Sequence, residues 1–188
     1  NNLIPLPHEI TIPAKGVLPP KDVAVLVFDS AGDIEQQAAG ELRNLFREKA
    51  GVEPEGSKFK IFLGVLDVKG KFNGQDFDGA ERLKECRNRN QAYLIRPLGE
   101  TGLIIAGLDA RGVYYGVQTL RQLLEPHLGK NKVEIPLAKV TDWPDMTERG
   151  MWNSPLQIIS YEASLKLNHH SLLARFKGKF TRDREPAW

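Results

Sequence analysis

The sequence holds a single cysteine, Cys86, in 188 residues. No disulfide can therefore form within the chain, and no cysteine-rich metal site can be assembled. Charge of one sign is scarce as well: the formal net charge is only +2, whereas phosphate recognition rests on a concentrated basic face. No apolar run approaches the roughly 20 residues a membrane-spanning helix needs, which excludes a helical span. The HExxH metal spacing, the dinucleotide GxGxxG pattern and the phosphate-loop lysine are all missing, so neither a metal nor a cofactor is expected. The opening stretch NNLIPLPHEI places no basic segment before an apolar one. A secretory leader is therefore expected to be absent or already removed, and the compartment is not readable from the residues.

What is present suits a folded domain. With 41% hydrophobic and 27% charged residues, the chain can bury a core of one domain, or of one domain and part of a second. The proline-rich start around EITIPA suits an edge strand. VAVLVF, from Val23 to Phe28, is a continuous apolar run that predicts a buried strand. Asp33, with Gln36 three residues on, predicts a capped helix that Gly51 ends; Ile34, Ala38, Leu42, Leu45 and Phe46 form its inward stripe. KFKIFLGV from Lys58 is a second strand, and DGAERLKECRN a short helix turning Leu83 and Cys86 inward. QAYLIRP and LIIAG predict strands paired antiparallel across the hairpin-length loop LGETG. Asp109 then caps a helix whose stripe is Val113, Val117, Leu120 and Leu124, with Gly112 and Gly116 permitting close approach of another backbone. KVEIPLAKVTDWP is extended. After Arg149 the order becomes strand (RGMWN), helix (PLQIISYEASLKLN) and strand (HHSLLARF), the opening of a parallel α/β unit.

The residues that could carry chemistry each have a plainer role. The turn from Gly107 to Gly112 lies where nucleotide folds bind phosphate, but without the glycine pattern it is better explained by helix contact. His169 and His170 are adjacent and point apart in any regular structure, so without distant partners they are not joint metal ligands. Lys166, Arg175, Lys177, Lys179, Arg182 and Arg184, interleaved with Phe176, Phe180 and Trp188, could suit single-stranded nucleic acid; an ordinary solvated segment is the preferred reading, and no nucleic-acid partner is expected. Asp142 and Asp145 flank Trp143 and Pro144 as a carboxylate pair of the kind that works on sugars, yet no histidine or nucleophile is near them in sequence, and turn capping is expected. Cys86 has no histidine or basic turn beside it and reads as a buried structural thiol.

QAYLIRPLGETGLIIAGLDARGVYYGVQTLRQLLE followed by VEIPLAKVTDWPDMTERG resembles the amino-terminal non-catalytic domain of family 20 glycoside hydrolases, the β-N-acetylhexosaminidases, with the start of their catalytic barrel. The resemblance is best from about Gln91 to Gly150, and related domains precede family 84 and family 67 barrels. It implies an α+β fold with a mixed or antiparallel sheet and helices packed on one face, zincin-like in shape, over 1–145. It further implies that 146–188 hold the first strand, helix and strand of a truncated β/α barrel. The catalytic Asp-Glu pair of the family belongs to a later barrel strand, so no catalytic residue is assigned, and this chain alone is expected to be inactive. Trp152 and Asn153, at the carboxyl end of the first barrel strand, are the candidate substrate-binding residues. Where the family commonly has Asp and then Arg soon after Arg-Gly, this chain has Ser154 and Gln157. The implied partner is a glycan held by the barrel, with homo-oligomerisation through the exposed barrel fragment a further expectation and secretion or a periplasmic location suggested by the family. A stand-alone carbohydrate- or protein-interaction module is the alternative.

Overall fold

The computed structural model describes residues 3–28, 30–76, 78–152 and 159–171. A six-stranded mixed sheet forms its centre, in the order β1 (Glu9–Thr11), β10 (Lys139–Asp142), β7 (Tyr93–Pro97), β8 (Gly102–Gly107), β4 (Phe59–Val65), β3 (Val23–Val27). Strands β3, β4 and β8 run parallel, while β8, β7, β10 and β1 alternate in direction. β7 and β8 pair antiparallel as the short glycine loop predicts. Every residue of β8 is buried, which explains its unbroken apolar run: it has a strand on either side and covered faces above and below.

Two long helices, α1 (Asp33–Ala50) and α3 (Ala110–Leu124), pack side by side on one face of the sheet. The predicted α3 stripe of Val113, Val117, Leu120 and Leu124 is fully buried there, and the Asp109 carboxylate accepts from Arg111 N at 3.0 Å as its cap. α1 begins one residue earlier in its capping logic than Asp33 and Gln36 predict. Gly32 is the cap, and Glu35 reaches back to accept from Gly32 N at 2.9 Å. The helix therefore turns Ala39 and Ala50 inward with Ala38, Leu42, Leu45 and Phe46, and leaves Ile34 exposed. Gly51 ends it in the left-handed conformation, as expected.

A smaller layer lies on the opposite face. The short helix α2 (Ala80–Glu85) and the hairpin of β5 (Lys71–Phe72) and β6 (Gln75–Asp76) bury Phe72, Ala80 and Leu83 against Leu94, Ile104 and Ala106. Cys86 ends α2 half-buried, its thiol donating to Arg82 O at 3.1 Å, and burial pushes its pKa up. It was expected to be buried and is only partly so. A separate ribbon pairs β2 (Lys15–Leu18) with β9 (Val133–Pro136). The outer edge of β3 is closed by the loop after α1, with Val25 N donating to Pro54 O and Gly56 N to Val23 O, so it offers little open edge for another chain.

Beyond Asp142 the chain makes a parallel two-stranded unit, β11 (Gly150–Trp152) and β12 (His169–Ser171), with α4 (Ile159–Ser164) between them in sequence. This is the predicted strand, helix, strand order, although α4 begins at Ile159 and residues 153–158 and 172–188 lie outside the described residues.

The fit of α3 on the sheet depends on its two glycines. A Cβ at Gly112 would lie 2.2 Å from Ala92 O, and one at Gly116 would lie 2.5 Å from Ile105 Cγ2. Gly40, on α1, has nothing within 4 Å of such an atom. Gly112→Ala should therefore cost about 1–3 kcal/mol through overpacking, and Gly40→Ala should gain about 0.5–1 kcal/mol through helix propensity. Urea unfolding of the two variants checks the contrast, and equal effects would refute the contact.

Candidate functional site

In the antiparallel register of β10 with β7, Asp142 stands directly opposite Tyr93, so both side chains leave the same face of the sheet. That face is the one α3 covers, and the glycine-permitted approach of α3 sets Thr119 over Tyr93. The Tyr93 hydroxyl donates to Asp142 Oδ2 at 2.8 Å. Having one proton, it must accept from its other partners: Lys166 Nζ at 2.7 Å and Thr119 Oγ1 at 2.5 Å. Lys166 Nζ also donates to Asp142 Oδ2 at 2.9 Å. The other carboxylate oxygen accepts from His8 N at 3.2 Å and His8 Nδ1 at 3.0 Å, so Nδ1 carries a proton. Tyr93, Thr119, Asp142 and Lys166 are all buried.

Electrostatics follow from that enclosure. Burial works against the Asp142 carboxylate, but the Lys166 charge and the hydrogen bonds from His8, Lys166 and Tyr93 outweigh it and hold the group below the usual carboxylate range. Burial pushes the Lys166 ammonium down, with Asp142 opposing. Burial and the adjacent carboxylate push the Tyr93 phenol well up, so it stays a neutral donor.

A second set of contacts surrounds the first. Arg149 donates through Nε and Nη2 to Lys166 O at 3.2 and 2.8 Å and through Nη2 to Gln91 Oε1 at 3.1 Å, with its guanidinium 5.4 Å from the centre of the Tyr115 ring. Asn168 Nδ2 donates to Gln91 Oε1 and to Thr147 O, and its own Oδ1 accepts from Arg149 N. On the solvent side the His8 ring stacks on Trp143 at 4.1 Å, and Arg82 lies over the same indole. A cavity of about 190 Å³ remains between these groups and Leu6, Met146 and Tyr115. It is smaller than the roughly 300–1,000 Å³ of ordinary small-molecule sites.

This arrangement joins distant segments of the chain. Both Asp142 oxygens are occupied, the Lys166 charge is matched, and no described group of three or more His, Cys, Asp or Glu could hold a metal. Asp142 is thus corrected from a turn cap to the centre of a buried cluster; Asp145 is exposed and reaches His8 Nε2 at 3.4 Å. Lys166 is likewise removed from the solvated basic segment, while Arg175 and the basic residues after it lie outside the described residues. Trp152 closes β11, but its side chain, with all of Asn153, Ser154 and Gln157, lies outside the described residues. His169 and His170 are consecutive on β12. Gly107 is a contact glycine, since a Cβ there would lie 2.8 Å from Asp109 O.

Asp142→Ala leaves the Lys166 charge buried without its partner, so a loss of about 3–5 kcal/mol is expected. Because the folded Asp142 pKa is depressed, its contribution is complete above the unfolded value of about 4 and is lost as pH falls through the folded value. Thermal unfolding followed by circular dichroism should therefore show a shallower acid slope in Asp142→Asn than in the parent. Parallel slopes would contradict the assignment.

The description "glycosyl hydrolase family 20, domain 2" matches residues 1–143. No curated protein matches the chain. Among solved structures, the family 20 exo β-N-acetylglucosaminidase of Vibrio harveyi is 18% identical with a TM-score of 0.60, over 88% of this chain and 24% of that one. The Flavobacterium johnsoniae chitobiase is 15% identical with a TM-score of 0.61, over 88% of this chain and 26% of that one. The Streptomyces plicatus β-hexosaminidase is 20% identical with a TM-score of 0.55, over 80% of this chain and 28% of that one. At such identities the likeness shows the fold, and the chain spans about a quarter of each enzyme's length. With the family match covering most of its length, the chain belongs to the glycosyl hydrolase family 20 domain 2 family.

Proposed function

We propose that this chain is a non-catalytic domain that supports the barrel of a glycoside hydrolase, with the residues from Gly150 onward beginning that barrel. The observation that carries the reading is the burial of Lys166, which follows α4, in the carboxylate cluster that ends β10. A domain with no further partner has little use for such a tie to a two-stranded fragment, because parallel strands are stable only in larger covered sheets. The parallel pairing of β11 with β12 across a helical connection matches the first repeat of a β/α barrel.

Chemistry then belongs to the barrel. Retaining glycosidases need a proton donor at the leaving oxygen and a nucleophile at the anomeric carbon, and in the substrate-assisted families the acetamido group of the sugar serves as the latter. Glu148 precedes β11 and Glu162 is buried in α4, so neither stands at the carboxyl end of a strand where barrel chemistry occurs. The substrate class that the similar enzymes suggest is a terminal β-N-acetylhexosaminide, bound beyond this domain.

The test compares residues 1–188 with the whole polypeptide that their reading frame encodes, using aryl N-acetylglucosaminide and aryl glucuronide substrates. Turnover is expected from the longer polypeptide only. A frame that stops at Trp188, or turnover by 1–188 that survives removal of contaminating hydrolases, would overturn the proposal. Calorimetry of 1–188 against chitooligosaccharides should be flat, and measurable heat would favour an independent sugar-binding module instead.

A further inference from the structure

Lys166 has a backbone conformation that its residue type disfavours. Its φ is +60°, in the left-handed region that glycine adopts without penalty and other residues avoid. The position is the left-handed cap of α4: Lys166 N donates to Ala163 O at 2.9 Å and Leu167 N to Glu162 O at 3.1 Å, the paired bonds of a Schellman motif. Glycine is the residue such a cap favours, and a glycine there would make both backbone bonds. What it could not make is the reach of the side chain into the Asp142 and Tyr93 cluster. A strained position occupied by a buried, charged side chain points to a role for that side chain.

The same peptide is held from the other side. Arg149, the residue before β11, donates twice to Lys166 O, and Arg149 O accepts from both Asn168 N at 2.8 Å and His169 N at 3.0 Å. The start of β11 and the start of β12 thus meet at the loop that Lys166 opens. Gly150 closes this meeting, since a Cβ on it would lie 2.0 Å from His169 O. The register Gly150↔His169, Met151↔His170 and Trp152↔Ser171 follows directly from it.

We propose that Lys166 is a positioning residue: through Asp142 and Tyr93 it holds the β11–β12 pair against the domain and tolerates a left-handed backbone to do so. The inference rests on the reading of that pair as the start of a barrel, and it assigns the charged tie between domain and barrel to this side chain. Arg149 and Asn168 also reach the domain, through Gln91, Met146, Thr147 and the face of the Tyr115 ring. Lys166 alone among them carries a charge into the buried end of β10.

Hydrogen exchange of the 188-residue chain, read by mass spectrometry, tests the assignment. Lys166→Gly keeps or improves the α4 cap while deleting the side chain, and Lys166→Met keeps most of the aliphatic volume while deleting the charge. In both, protection of the amides in Gly150–Trp152 and His169–Ser171 should fall on the order of tenfold, with β7 and β8 unchanged. If either variant leaves the two strands as protected as the parent, the proposal is overturned. Asp142→Asn/Lys166→Met removes both charges, so it decides the matter should the single variants unfold through an unpaired carboxylate. In it the same local loss is expected, and either retained protection of the strand pair or equal loss across β7 and β8 would refute the role. This readout needs no glycosidase activity, so its failure is distinguishable from failure of the barrel-support reading.

Discussion

One carboxylate, Asp142, is taken out of water at the end of β10, and several distant stretches of chain are committed to keeping it ionised. His8 comes from the segment before β1, Tyr93 from the neighbouring strand, and Lys166 from beyond α4. Each is placed by a different element, so the cluster forms only when all of them are where the fold puts them. A buried ion pair is a weak source of net stability, because desolvation offsets most of the attraction. Its effect is discrimination: any arrangement that leaves Asp142 or Lys166 buried alone is far less favourable than this one.

The cluster inherits its geometry from close contacts that have no charge in them. Gly112 and Gly116 let α3 settle against Ala92, Ile105 and the Tyr93 ring, and that depth brings Thr119 to the Tyr93 hydroxyl. The amino-terminal segment is held in turn by α3, where Gln122 accepts from Ile4 N at 2.8 Å and donates to Ile4 O at 2.9 Å. His8 then follows, with its ring laid on Trp143. Apolar contact sets the distances, and the polar groups select among the few arrangements those distances allow.

Most of the architecture was legible in the residues because it follows from local rules. Apolar runs marked β3, β4, β7 and β8, the Asp109 cap and its stripe marked α3, and the loop LGETG set the antiparallel pairing. The α1 start was displaced because Glu35 competes with Gln36 for the reciprocal cap bond, and Gly32 exposes the amide that Glu35 takes. The hairpin β5–β6 has a signal in Asn73-Gly74, both with positive φ, but strands of two residues show no periodicity. Asp142 and Lys166 were not legible, and no local pattern could have revealed them. Their pairing spans 24 residues and depends on a cross-strand register and a left-handed turn, so each in isolation looks like any surface charge beside polar neighbours. Trp152 and Asn153 were inferred from family likeness and from no pattern of their own.

Lys166 lies inside the domain, paired with Asp142 against the Tyr93 ring, 5.0 Å from its centre. Solution NMR of the 188-residue chain, labelled at lysine, reads this directly. One lysine should have ammonium protons that exchange slowly, side-chain methylenes that show nuclear Overhauser effects to the Tyr93 ring, and signals that disappear in Lys166→Met. If every lysine side chain gives the averaged shifts and fast exchange of an exposed group, with no effect to Tyr93, the buried tie does not exist in solution.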